Sequence, residues 1–214
     1  MVRKALQPAW DRVGGLSNPS KMPGFGTSIS AFKCKTGSKL RLIQGSTCSA
    51  CYALKGRYLF SNVTSALERR YKALQSLTWV SDMALLINEL CAKTPYFRWH
   101  DSGDIQSIDH LRAIVNVCID TPTINHWLPT REYKMIADYR KLYGEFPSNL
   151  VVRLSGHMVN QSPPTGYGLP VSSVTTTHSM TDASICEAST RQGKCGPCRA
   201  CWNPEVKHVA YPIH

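Results

Sequence analysis

Long apolar runs are missing from this 214-residue chain. None approaches the roughly 18 residues that a membrane-spanning helix requires, so no membrane partner is expected. Acidic residues are scarce, 14 Asp+Glu against 25 Lys+Arg, which leaves a formal charge of +11. The basic start Met1-Val2-Arg3-Lys4-Ala5-Leu6-Gln7-Pro8 has no apolar stretch behind it, so no secretory signal is expected. There is no polybasic tail and no Arg-rich run, and the basic residues are scattered. A net charge of this sign favours anionic partners such as nucleic acid, but a solvated basic surface explains it as well. With 43% hydrophobic and 18% charged residues, a folded chain is expected rather than a disordered one.

What the sequence does hold is nine cysteines. In the reducing cytoplasm expected for a chain without a leader, structural disulfides are rare, and metal or cluster binding is the leading explanation. Cys91 and Cys118 fall on the apolar faces of helical patterns and read as core residues. Cys34 reads the same way, sharing a strand face with Phe32. The other six differ. Cys48 and Cys51 form a C-x2-C pair in a loop, and Cys195, Cys198 and Cys201 form a C-x2-C-x2-C run with Cys186 upstream. Such spacing lets successive thiolates converge on one centre, and Gly196 and Pro197 help the backbone wrap it. A tetrahedral zinc and a [4Fe-4S] cluster both take four thiolates. The serial run favours the cluster: three close thiolates crowd a single ion, whereas a cubane offers separate iron corners.

The organisation is that of one main domain. Residues 1–26 are rich in Gly, Pro, Ser and Asn and read as an irregular N-terminal arm. Residues 27–180 read as an α/β domain, and 181–214 as a Cys-rich metal-binding tail packed on it. Thr27–Cys34 and Leu40–Gln44 look like two strands joined by a turn, followed by helices from about Asn62 and Val80. Short strands then alternate with helices: strand Tyr96–His100, helix Ser107–Ile119, strand Thr123–Leu128, helix Glu132–Tyr143, strand Leu150–Leu154 and strand Val171–Thr177. This alternation predicts parallel βαβ units, too few for a complete eight-stranded barrel of about 250 residues. An open or partial (β/α) barrel is expected, with the Cys-rich segment closing its mouth.

In such folds ligands sit beyond the carboxyl ends of the strands. Those ends are polar here: His100-Asp101-Ser102-Gly103-Asp104, Thr130-Arg131-Glu132, Ser155-Gly156-His157 and Thr175-Thr176-Thr177-His178. His100, Asp101, Asp104, Arg131, Glu132 and His157 are the candidate catalytic residues. Arg131 would suit a carboxylate or phosphate, and the acids and histidines would handle protons. Asp104 and Ser107 are open to a plainer account as helix caps.

The segments Met22-Pro23-Gly24-Phe25-Gly26-Thr27-Ser28, Thr47-Cys48-Ser49-Ala50-Cys51-Tyr52-Ala53, Arg98-Trp99-His100-Asp101-Ser102-Gly103-Asp104 and Cys195-Gly196-Pro197-Cys198-Arg199-Ala200-Cys201-Trp202 together resemble the phage gene product eighty-eight family. That resemblance implies a bacteriophage protein working in the host cytoplasm. A more distant similarity is to radical S-adenosylmethionine enzymes, which carry a cysteine loop ending Cys-Tyr on a partial barrel. It implies a cubane with an open iron that takes S-adenosylmethionine, with Ser102, Gly103 and Asp104 as cofactor-binding residues. The chain departs from that pattern: Gln44 stands where the first cysteine of C-x3-C-x2-C belongs.

Two functions are therefore expected. One is a [4Fe-4S] protein on a radical-type partial barrel, acting on an unknown small molecule or nucleic acid. The other is a non-catalytic module, stapled by iron–sulfur or zinc, that binds nucleic acid or a host protein.

Overall fold

A computed structural model describes residues 3–177 and 180–213; His178, named above at a strand end, lies outside the described residues. Seven strands, β1 (Phe25–Thr27), β2 (Tyr96–Trp99), β3 (Asn125–Thr130), β4 (Leu150–Val159), β5 (Val171–Thr175), β6 (Ser184–Ile185) and β7 (His208–Pro212), form one sheet. Its order is β1-β2-β3-β4-β5-β7-β6, and every neighbouring pair is parallel. Among the described residues six α-helices accompany it: α1 (Gln7–Arg12), α2 (Thr36–Leu40), α3 (Ser61–Ala73), α4 (Trp79–Leu90), α5 (Ile108–Ile119) and α6 (Tyr133–Tyr143). The fold is α/β, as the alternation of strand and helix patterns predicts.

Local chemistry sets the helix limits. Ser107 caps α5 by accepting from the His110 N–H at 3.0 Å, which puts Ile108, Leu111, Ile114, Val115 and Cys118 on one apolar stripe. At the other end of α6, Gly144 adopts φ 85°, a conformation that suits a glycine after a helix. Side chains alternate across the strands. Phe97, Trp99, Leu128, Val152 and Leu154 face a core shared with Leu6, Ala9 and Val13, with Met83, Leu86 and Ile87 of α4, and with Leu111 and Ile114 of α5. Cys91 and Cys118 are both fully buried in that core, where their helical spacing places them.

The opposite face carries Arg98, Trp127 and Arg153, and the C-terminal segment covers it. Trp202 donates its indole N–H to the Phe97 carbonyl at 3.0 Å and packs edge-on against Trp127 and Tyr96, with ring centroids 5.1 and 5.5 Å away. The tail also supplies β6 and β7, and β7 enters between β5 and β6.

Three expectations need correction. The arm 1–26 is not irregular: α1 lies within it, its flanking Leu6 and Val13 are buried, and Arg12 pairs with Asp82 of α4 at 2.6 Å. The strand expected over Thr27–Cys34 ends at Thr27, and Ser30 caps a 3-10 turn over Ala31–Lys33. The segment expected as a second strand, Leu40–Gln44, is the end of α2 and the turn after it, and the expected connecting turn is α2 itself, held at its start by Glu132. Local alternation of polar and apolar residues imitates strands there, and tertiary contacts decide otherwise.

Trp202→Ala should lower stability by about 3–5 kcal/mol in urea denaturation, as removal of a buried large aromatic does. Leu77→Ala, at a fully exposed side chain, should change little. Equal small effects would show that the tail is a detachable appendage.

Candidate functional site

Hydrogen bonds tie the carboxyl ends of β2, β3 and β4 to one another and to the Cys48 loop. Asp104 is buried and accepts from Thr130 Oγ1 (2.6 Å), the Ile105 N–H (2.8 Å) and the Arg131 N–H (2.9 Å). Burial outweighs those three donors and pushes its carboxyl up to about 6. Glu132, also buried, accepts from both the N–H and the hydroxyl of Thr36 at 2.8 Å. Arg131 directs Nε at Thr47 Oγ1 (3.0 Å) and the Gly156 carbonyl (3.3 Å). His157 stacks on Tyr133 with ring centroids 4.3 Å apart, and burial holds its pKa down.

Asp104, Arg131, Glu132 and His157 are thus brought together. His100 and Asp101 point elsewhere. His100, at φ 58°, is buried with its ring 5.4 Å from that of His110, and burial drives its pKa well below the ordinary value. Asp101 lines a cavity of about 300 Å³ with Ser28, Arg57, Tyr58 and Arg70. Ser102 donates its hydroxyl to the Ile29 carbonyl at 2.9 Å. Gly103, at φ 79°, lies so close to Ile29 that a Cβ would come within 2.3 Å of its side chain. These two residues clamp the β2 end onto Ile29, and neither presents an open cradle for a cofactor's amino group.

The thiols gather in two groups. Thr47 docks its loop on β4 through its N–H to the His157 carbonyl (2.8 Å), and Ser46 bridges to Met158. This places Cys48, buried, near Arg131, with Cys51, half-buried, beside it. Burial raises the Cys48 thiol, and Arg131 opposes the rise. In the tail, the Cys186 N–H donates to the Ala210 carbonyl at 2.8 Å, and the Cys198 N–H to the Cys195 carbonyl at 3.2 Å. Cys201 Sγ lies 3.1 Å from the Tyr211 hydroxyl. Burial pushes the Cys195 thiol up, with Cys186 and Cys198 adding to the effect and Arg98 and Arg199 opposing it. Burial likewise raises Cys201 to about 11, against the Tyr211 hydrogen bond and the Arg153 charge. Among the described residues, no three His, Cys, Asp or Glu side chains stand at the spacing that holds one metal ion.

Three polar residues that frame these groups carry no motif signal: Thr36, Arg98 and Arg153. Arg153 is fully buried and donates to the carbonyls of Val171, Val206, Ala200 and Asn203 at 2.9–3.3 Å. The Arg98 guanidinium lies 4.5 Å over the Trp127 ring, with Nη1 3.1 Å from Met22 Sδ. Only an arginine inside an otherwise apolar strand pattern could have marked either one.

A protein family described as gene product 88 matches residues 8–204. The chain belongs to the gene product 88 family. No curated protein and no solved structure matches it. Membership bears out the phage-family resemblance, while the similarity to radical S-adenosylmethionine enzymes finds no support among these comparisons. No helix among the described residues is long and apolar enough to cross a membrane.

The buried ionisable groups of this gene product 88 family member set an acid response. Burial holds His110 at about 4 and His126 at about 3, and His100 also stays neutral. In an unfolded chain all three take protons near pH 6.5. Asp104, raised to about 6, acts in the opposite sense because the folded state binds its proton first. Near pH 5 unfolding therefore takes up about two protons, and stability should fall by about 2.7 kcal/mol per pH unit as pH drops. Urea midpoints at pH 7 and pH 5 check this; equal midpoints would contradict it.

Proposed function

We propose that this protein is a phage iron–sulfur protein that holds a [4Fe-4S] cluster on Cys186, Cys195, Cys198 and Cys201 and acts in the reducing cytoplasm of the host. The charge around those thiols carries the reading. Arg98 and Arg153 form no ion pair among the described residues, yet both stand near Cys201 and oppose the rise of its thiol. Arg153 is fully buried against neutral carbonyls, and half-buried Arg98 has Asp101 beside it, so an anionic centre at Cys201 would complement both cations. Four thiolates on an oxidised cubane carry a net charge of about −2 and would provide such a centre. Gly196, at φ 56°, turns the backbone between Cys195 and Cys198. The donor set is all sulfur, which suits iron–sulfur and zinc alike; the serial run favours the cluster.

When bound, such a cluster supplies one-electron chemistry. On this reading the sheet is an open partial barrel with the tail packed on the face that carries Arg98, Trp127 and Arg153. Arg131, its Nε engaged by Thr47 and Gly156, offers its terminal nitrogens to a substrate carboxylate or phosphate. His157 stands beside it as the partly exposed group able to move a proton. S-adenosylmethionine is not part of the proposal, because Ser102 and Gly103 are committed to Ile29.

Anaerobically purified protein should be brown, and Cys198→Ser should lose about four iron and four sulfide per chain. Cys91→Ser, in the core, should keep its metal and lose only stability. A colourless, zinc-replete protein would overturn the cluster reading.

A second reading, a metal-stapled nucleic-acid-binding module, rests on a groove of about 540 Å³ lined by Phe32, Glu68, Arg69 and Lys72. It expects DNA affinity that weakens steeply between low and moderate salt. No binding at low salt would dispose of it.

A further inference from the structure

Cys34, which the strand pattern assigns to the core, stands with Cys48 and Cys51. The Ser30-capped turn ends at Cys34, whose N–H donates to the Ala31 carbonyl at 3.3 Å. From there α2 begins at once, and Gly37 forms the wall between two thiols. A Cβ on Gly37 would sit 3.6 Å from both Cys34 Sγ and Cys48 Sγ, and 3.0 Å from Cys34 Cβ. Cys51 closes the group on a turn from Cys48, its N–H donating to the Cys48 carbonyl at 3.3 Å. Burial raises the Cys34 thiol, and Asp104, Cys48 and Cys51 around it raise it further while Arg131 opposes.

Adjacent residues of one junction hold both cysteine segments. Glu132 grips Thr36, two residues after Cys34, and Arg131 grips Thr47, one residue before Cys48. Ser46 adds a bond from its hydroxyl to the Leu40 carbonyl at 2.5 Å, tying the Cys48 loop to the end of α2. A packing role does not explain this placement. Cys91 and Cys118 are fully buried among apolar side chains, whereas Cys34 and Cys51 are half-buried in polar loops. Arg131, like Arg98, forms no ion pair among the described residues.

We infer that Cys34, Cys48 and Cys51 hold a second iron–sulfur cluster, separate from the tail centre, at the carboxyl ends of β3 and β4. This rests on the iron–sulfur reading of the protein. A cubane here has three protein thiolates and one iron without a cysteine. Glu132 and Arg131 act as positioning residues, through Thr36 and Thr47.

Reconstitution of the full chain with iron and sulfide under anaerobic conditions tests the inference. Wild type should bind about eight iron and eight sulfide per chain, and Cys34→Ser about four of each, with the remainder lost on the further change Cys198→Ser. Cys34→Ala should behave as Cys34→Ser does, with circular dichroism showing retained helix and sheet. If wild type holds about four iron and Cys34→Ser keeps them all, the second centre is wrong and the tail centre stands. The second centre is equally wrong if Cys34 and Cys48 prove to be joined in a disulfide in the anaerobic, iron-loaded protein. Should wild type bind no iron at all, the iron–sulfur reading itself fails.

Discussion

A guanidinium cannot shed its charge, so Arg153, with none of its surface exposed, has to be solvated by the protein around it. Four of its five N–H donors find main-chain carbonyls, one on β5 and three on the segment from Ala200 to Val206. Each bond to a charged donor contributes about 1.5–3 kcal/mol. Removing the tail would leave a cation buried in the sheet with most of its partners gone. The C-terminal cysteines are therefore carried by a segment that the sheet cannot release. That constraint gives Cys201 and Trp202 their places, and it orders the face on which Arg98 and Trp127 lie.

A second set of bonds does for the strand ends what Arg153 does for the tail. Asp104 accepts three bonds at the β2–β3 junction, and in doing so it aims the next two residues, Arg131 and Glu132, in opposite directions. One reaches the Thr47 loop and the other the start of α2. The helix α2 is only five residues long, too short to persist without outside support, and the Glu132 carboxylate at its first turn supplies it. Asp104, Arg131 and Glu132 thus support the Thr47 loop and the start of α2. Asp104 stays charged at neutral pH in a buried place because its donors partly offset the loss of water.

How much of this can be read from residues alone divides along physical lines. Helices α3 to α6 and strands β2 to β5 show themselves because each has one apolar face and a cap or turn at its limits, as Ser107 and Gly144 do. Their parallel pairing follows from the alternation. What cannot be read is decided by contacts distant in sequence. α2 depends on Glu132, 96 residues away, and the strand-like look of its neighbourhood carries no sign of that. β7 is hidden because it is short and follows a cysteine run whose spacing draws attention to metal rather than to pairing. Cys34 escapes for the same reason: Cys48 lies across α2, a helix that local pattern reads as the turn between two strands. On the proposed reading, six candidate ligands can be picked out by their place in the sequence, and Cys34 only by its place in three dimensions.

The two thiol groups are also joined through charge. Burial disfavours the Arg98 cation, yet Tyr52 and Asp101 on the Cys51 side, and Tyr211 and Cys201 on the tail side, together hold its proton more firmly. One guanidinium is thus shared by the surroundings of both groups, and it rests on Trp127, against which Trp202 packs. In a medium of effective dielectric near 20, unit charges about 8 Å apart still interact by about 2 kcal/mol. On the proposed reading, then, the +11 of the chain is not only a surface property. Part of it lies in Arg153, fully buried, and Arg98, half-buried, where a negatively charged centre at Cys201 would add to the carbonyls and the Asp101 carboxylate that already face them.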